Sequence, residues 1–227
     1  MKKKLLFFTI LAMCLFTLSA CGNSKFDLAN YLIEERNNLF TAEDELYNVS
    51  LSSGLRESDY NFDGVVSEKV DFAVLTLMRN DSCPLSNDNY TYIVTINEET
   101  FTGMLEKSPV DNSYAVDLEI NVPDDAAINV SISFTGYTFN QDLVNTSNIF
   151  TVDKQAALEI ANKELKEEVK NLTADNSKVE VVMKILKDYS TADVKNYYWY
   201  VGAISTNGET SGVLIDANTG EVIAKKI

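Results

Sequence analysis

The 227-residue chain contains no histidine, and that absence excludes more chemistry than any motif in it supplies. Imidazole is the commonest metal ligand and the commonest general base near neutral pH. Serine and cysteine triads and the His-Glu-x-x-His zinc site each need one at a fixed place, so all of them fall away. Basic side chains are scarce too: 19 Lys and Arg stand against 34 Asp and Glu, a net charge of −15. A chain of that sign repels nucleic acid, because neutralising phosphates needs a basic footprint. Its basic residues are scattered except near Lys163, Lys166 and Lys170, where Glu164, Glu167 and Glu168 cancel them. Such a field attracts divalent cations and basic peptides instead. From Phe26 onward no apolar run is long enough to span a membrane.

What is present starts at the first residues. Lys2, Lys3 and Lys4 precede an apolar run from Leu5 to Leu18, and Leu18-Ser19-Ala20-Cys21 closes it. A basic start, a short apolar stretch and small residues before a cysteine resemble the lipobox of a bacterial lipoprotein. The resemblance implies that residues 1–20 are a signal peptide and that Cys21 is the lipid attachment site. Residues 21–25 then form an acylated tether, and the rest works on the extracytoplasmic face of the cell membrane. An uncleaved anchor helix is the other reading, disfavoured because Ser19-Ala20-Cys21-Gly22 is a processing site. Cleavage removes three lysines and no acid, so the charge deepens to −18. With Cys14 removed and Cys21 acylated, Cys83 is the one free thiol and no intrachain disulfide can form.

The mature length suits two units, with a boundary near Phe150. In Phe26 to Phe40 the residues Leu28, Leu32 and Leu39, with Ala29, Ile33 and Phe40, recur at helical spacing, which predicts an amphipathic amino-terminal helix. From Leu46 the pattern turns to short alternating runs: Val70 to Arg79, Tyr90 to Asn97, Thr100 to Glu106, Tyr114 to Val122 and Ala127 to Asn140. Strands punctuated by turns predict that residues 26–150 are a β-rich domain resembling a small β-sandwich, an immunoglobulin-like one among the options. Within it, Asp59-Tyr60-Asn61-Phe62-Asp63-Gly64 matches the opening of a calcium loop, with Asp59, Asn61 and Asp63 as oxygen ligands. The twelfth position, where a bidentate carboxylate belongs, is Val70. An ordinary Asp/Asn/Gly turn leading into the Val70 strand fits better.

Beyond Phe150, Thr151-Val152-Asp153 offers a helix cap, and Ala157, Ala161, Leu165, Val169 and Leu172 follow on one stripe. Val179, Val181, Met183 and Ile185 alternate as a strand, Tyr198, Trp199, Tyr200 and Val201 mark another, and Asn207-Gly208 predicts a type I′ hairpin. The order of elements, the Ala156-Ala157-Leu158-Glu159-Ile160-Ala161 segment and the ending Val213-Leu214-Ile215-Asp216-Ala217-Asn218-Thr219-Gly220-Glu221-Val222-Ile223 resemble the PepSY domain. The resemblance covers residues 151–227 and implies a helix packed on a small antiparallel sheet. It implies regulation or inhibition of a peptidase rather than catalysis.

The expected fold class is therefore α+β: an amino-terminal helix, a sandwich-like domain and a PepSY-like domain. The expected function is non-enzymatic, a membrane-anchored lipoprotein that binds or regulates an envelope protein or peptidase, with no cofactor. Two alternatives are a carboxylate-based hydrolase of wall glycans and a calcium-dependent adhesive or structural module. The aromatic run Tyr197 to Tyr200 should present one pair to the core, and the other pair, if bare, becomes a peptide-docking stripe.

Overall fold

Twelve strands and two short helices make up the regular structure of the computed structural model, which describes residues 26–59, 61–80, 83, 89–109, 112–134, 136–173, 177–188 and 196–226. The first eight strands are β1 (Leu32–Glu43), β2 (Tyr47–Glu57), β3 (Lys69–Arg79), β4 (Tyr90–Ile96), β5 (Glu99–Lys107), β6 (Ser113–Leu118), β7 (Ile128–Phe134) and β8 (Tyr137–Asn145). They are hydrogen-bonded in the order β1-β2-β3-β6-β5-β4-β7-β8, each pair antiparallel, and β8 returns to β1 through Phe40↔Asn145 and Thr41↔Val144. The result is a closed antiparallel barrel. It replaces the expected β-sandwich and the immunoglobulin-like option, because the edges that two separate sheets would leave free are here paired to each other, β5 to β6 and β8 to β1.

Inward-facing residues on neighbouring strands fill the barrel. Phe40, Leu51, Leu75, Tyr90, Val130 and Phe139 are each exposed by 2% or less. Tyr90 packs its ring 4.5 Å from Tyr114 and 5.1 Å from Phe134, centroid to centroid. Burying aromatics of this size makes the interior a packed core.

The amino-terminal helix is also corrected. Only Leu28–Tyr31 forms a single 3-10 turn, capped by Asp27, whose side chain accepts from the Ala29 amide; the chain then runs straight into β1. The misleading signal has a physical origin. Leu32 and Ile33 recur seven residues later as Leu39 and Phe40, two helical turns away. Here they are buried because β1 is covered on both faces, and irregularities at Ile33 and between Arg36 and Asn38 break its strict alternation.

The remaining elements hang on the same strand. They are α1 (Lys154–Glu164), α2 (Lys166–Leu172), β9 (Val179–Lys187), β10 (Tyr197–Ser205), β11 (Thr210–Asp216) and β12 (Val222–Lys226). Asp153 caps α1, its carboxylate accepting from the Ala156 amide at 2.8 Å, a contact worth about 1 kcal/mol. The expected single helix is broken at Leu165, where ψ is 0°. Strands β9 to β12 are mutually antiparallel, but β9 pairs in parallel with β1 from Leu32↔Val181 to Arg36↔Lys184. The sheet expected to stand alone under a PepSY-like helix is thus a continuation of the barrel wall. Strand β1 forks: its first half holds β9, its second half holds β8. The core beneath the helices accordingly takes Leu28, Leu32 and Leu39 from the other end of the chain, alongside Ala157, Ala161, Val181, Met183, Trp199 and Ile215. Buried Trp199 donates its indole N–H to the Val152 carbonyl at 2.8 Å, tying β10 to the helix start.

Candidate functional site

The residues singled out by sequence are not brought together. Cys21 and the lipobox lie outside the described residues. Asp63 of the calcium-like loop is occupied, its Oδ1 accepting from the Val65 amide at 2.8 Å, and Gly64 takes a φ of 75°. These are the marks of an Asx turn. Among the described residues no three or more acids and cysteines gather as a metal would require. Asp216 accepts from the amides of Asn218 and Thr219 at 2.8 and 2.7 Å. Burial alone would raise its carboxyl, but those amide bonds outweigh it and hold it below the ordinary carboxylate range. It shapes a turn. Cys83 is half-buried against the barrel core.

The aromatic run is resolved. Tyr197 and Trp199 point into the core, 3% and 2% exposed, while Tyr198 and Tyr200 are the half-buried outward pair. They belong to the sheet face away from the helices, together with Val182 and Leu186 of β9, Ile204 of β10 and Leu214 of β11, all half-buried. Residues paired in register share a face, and one register row crosses the whole fork: Leu214, Tyr200, Lys184, Arg36, Gly54 and Phe72, on β11, β10, β9, β1, β2 and β3.

The charged part of that row has no counterpart among the residues singled out by sequence. The chain has three arginines, and two of them, Arg36 and Arg56, set their guanidinium carbons 5.3 and 4.6 Å from the centre of the Phe72 ring. Cation–π contact and cover by the two guanidinium planes explain how Phe72 reaches 0% exposure outside both cores. Arg36 also pairs with Glu34 at 2.7 Å, and Arg56 pairs with Asp117. Lys184 lies 5.9 Å from the centre of the Tyr200 ring. That ring rests on two glycines: a Cβ on Gly202 would stand 2.4 Å from the Tyr200 hydroxyl, and one on Gly212 would stand 3.2 Å from the ring carbon Cε2. A lysine inside the apolar run of β9 and a glycine on each of the adjacent strands β10 and β11, paired as Gly202↔Gly212, were the available signals. Arg36 was hidden inside the supposed helix.

At one end of the same face, the segment after β2 folds over β9. The Gly64 amide donates to Glu180, and the Ser67 amide donates to Glu57. Both acids are 1% exposed, and the second oxygen of Glu180 has no partner among the described residues. Burial raises the Glu180 carboxyl above its ordinary value despite the amides of Gly64 and Asp63, and the charges of Glu57 and Asp63 push the same way. Although two carboxylates are the minimum for glycoside hydrolysis, these two are sealed beneath a loop.

Elsewhere a cleft of about 490 Å³ lies between Phe26, Asp27 and α1, lined by Lys163 and Lys166 but also by Asp27 and Glu159. Its mixed charge selects no ligand class. None of the helices among the described residues is long and apolar enough to cross a membrane. No protein-family model, curated protein or solved structure matches the chain.

Proposed function

We propose that this protein is a lipid-anchored module on the extracytoplasmic face of the cell membrane, that it is not an enzyme, and that it binds and thereby regulates an envelope protein through the helix-free face of β9 to β11. The observation that carries the reading is the outward row Val182, Leu186, Tyr198, Tyr200, Ile204 and Leu214, half-buried and not covered by either helix. Aromatic and aliphatic side chains on a rigid sheet supply contact area at little entropic cost. Beside them, Lys184 and Arg36 put positive charge on a chain whose net charge is −15, so the occupant that fits is an acidic stretch of a peptide or protein. The lipobox resemblance at Leu18-Ser19-Ala20-Cys21 supports the location, and the PepSY resemblance of residues 151–227 supports an envelope peptidase as the class of partner.

A photocrosslinking residue at Tyr198, in cells, should give one discrete adduct that is absent when the same residue replaces Ile93, which is 50% exposed on the barrel. Equal adducts from both positions, or none from Tyr198, would remove the reading. Cys21→Ser should abolish incorporation of labelled palmitate into the chain, since two acyl chains at about 0.8 kcal/mol per buried methylene account for stable attachment; incorporation equal to that of the parent protein would refute the anchor.

A further inference from the structure

Three cations meet where the appended sheet leaves the barrel. Arg36 and Lys184 are register partners, and Arg56 lies opposite Glu34 on the adjacent row. Two acids answer them, Glu34 on Arg36 and Asp117 on Arg56. No carboxylate or carbonyl among the described residues accepts from Lys184, whose neighbours are the Tyr200 ring and the like charge of Arg36, with Glu34 beyond. Burial foremost, then Arg36, pushes the Lys184 ammonium below its ordinary range. A half-buried cation beside a second cation, with no acceptor of its own, is an incomplete ion pair.

We propose that Lys184, with Arg36 beside it and the Tyr200 ring next to it, binds a carboxylate of the partner peptide. This rests on the docking face proposed above and names the group that face receives. Charge balance selects the group. Three cations against two acids leave one unmatched positive charge, which a single carboxylate neutralises. A phosphate dianion would leave the site negative within a chain already at −15. The bed of Gly202 and Gly212 holds the Tyr200 ring against the sheet backbone, so the side chain that carries or neighbours the incoming carboxylate can stack on the ring.

The test uses the full processed chain carrying Cys21→Ser, titrated with N-acetyl-phenylalanine, with its amide, and with inorganic phosphate. Binding is read from saturation transfer to the probe ring and from the ¹³C shift of the Lys184 ε-methylene. The acid should bind at least about tenfold more tightly than the amide, the gain of one charge-assisted hydrogen bond. Phosphate should bind more weakly than the acid. Lys184→Gln should remove the acid's advantage, and Lys184→Arg should keep it. Should Lys184→Gln not fold, the contrast between acid and amide on the parent chain decides alone. Equal binding of acid and amide, tighter binding of phosphate, or an undiminished preference in a folded Lys184→Gln chain would each overturn the proposal. A crosslinked adduct from Tyr198 without acid selectivity would refute the carboxylate site and keep the docking face. Acid selectivity without an adduct would do the reverse.

Discussion

The barrel and the sheet appended to it hide the two faces of a β-sheet in opposite ways. The barrel curls until β8 meets β1, so its inner face becomes a core of rings and aliphatic side chains. The appended strands stay open, cover one face with α1 and α2, and leave the other to half-buried side chains and to the segment joining β2 and β3. Among the described residues they also end in an unpaired edge at β12, where Lys225 reaches Glu168 at 2.9 Å and lysines discourage pairing with a further strand. On the proposed function, recognition belongs to the appended part. A side chain removed from the closed core should cost stability and little else, whereas one removed from the open face should cost little stability and, on the proposed function, binding.

Phe139→Ala should therefore give the largest destabilisation, about 3 to 5 kcal/mol, since Phe139 is 2% exposed inside the barrel. Tyr198→Ala on the open face should stay within about 1 kcal/mol. Urea unfolding followed by fluorescence and by circular dichroism measures both. Because β1 belongs to both sheets, the two probes should report one transition. Two resolved transitions would show the parts to be independent.

Glycines sharpen the comparison at the next level. Gly64 and Gly220 both have a φ of 75°, so any side chain there is strained by about 1 to 3 kcal/mol. Their surroundings differ: a Cβ on Gly64 would stand 2.1 Å from the Cβ of Lys178, whereas one on Gly220 meets nothing nearer than Ile160 Cδ1 at 3.4 Å. Gly64→Ala should fall at or beyond the top of that range and free the segment from Glu180. Gly220→Ala should fall near the bottom. Hydrogen exchange at the Gly64–Ser67 amides and melting curves distinguish the two; equal losses would mean that the contact with Lys178 is yielding.

Much of this was legible because alternation is local. Tyr90 to Asn97 and Thr100 to Glu106 were readable as strands from period-two patterning, and they form β4 (Tyr90–Ile96) and β5 (Glu99–Lys107). Closure was not legible, since β8 meets β1 through only two register pairs, joining residues about a hundred positions apart, and no local signal reports such a pairing. The strand identity of β1 was masked because burial on both faces erases alternation. Asn207-Gly208 misled in a smaller way: Gly208 alone is left-handed, at 88°, so the turn lacks the second positive φ of type I′. The site was least legible of all. Lys184, Arg36, Arg56 and Phe72 come from four strands, and only the fork at β1 aligns them.

Two acids with shifted carboxyls, buried Glu180 and half-buried Glu168, give opposite pH signatures that separate the junction from the rest. The Glu180 carboxyl is raised above its unfolded value, chiefly by burial, so its ionisation penalises the folded state. Its favourable contribution is complete below the unfolded value, about 4.3, and is lost as pH rises through the raised one. Glu168, lowered first by its bond to Lys225, acts with the opposite sign, stabilising above the unfolded value and failing as pH falls. Glu180→Gln keeps an acceptor for the Gly64 amide and removes the titration. It should raise the melting temperature at pH 8 and leave it nearly unchanged at pH 4. A variant less stable at both pH values would show that the charged form is the one the junction requires.

Calcium should have the smallest effect. The loop from Asp59 to Val70 resembles a calcium site only over its first half. Asp63 Oδ1 is held by the Val65 amide, the residue at the bidentate position is Val70, and the nearby Glu57 and Glu180 already accept from the Ser67 and Gly64 amides. For a cation to bind, those amide bonds must break and two buried carboxylates must turn outward, which offsets most of what oxygen coordination supplies. The expected dissociation constant is ~10⁻⁴ M or weaker, at the extracellular end of the known range. Millimolar calcium should shift the melting temperature no more than millimolar magnesium does, and Asp59→Ala should leave both shifts as they were. Micromolar affinity in calorimetry, abolished by Asp59→Ala, would mean that the segment over Glu180 rearranges into a metal loop, and the junction between barrel and sheet would then be calcium-controlled.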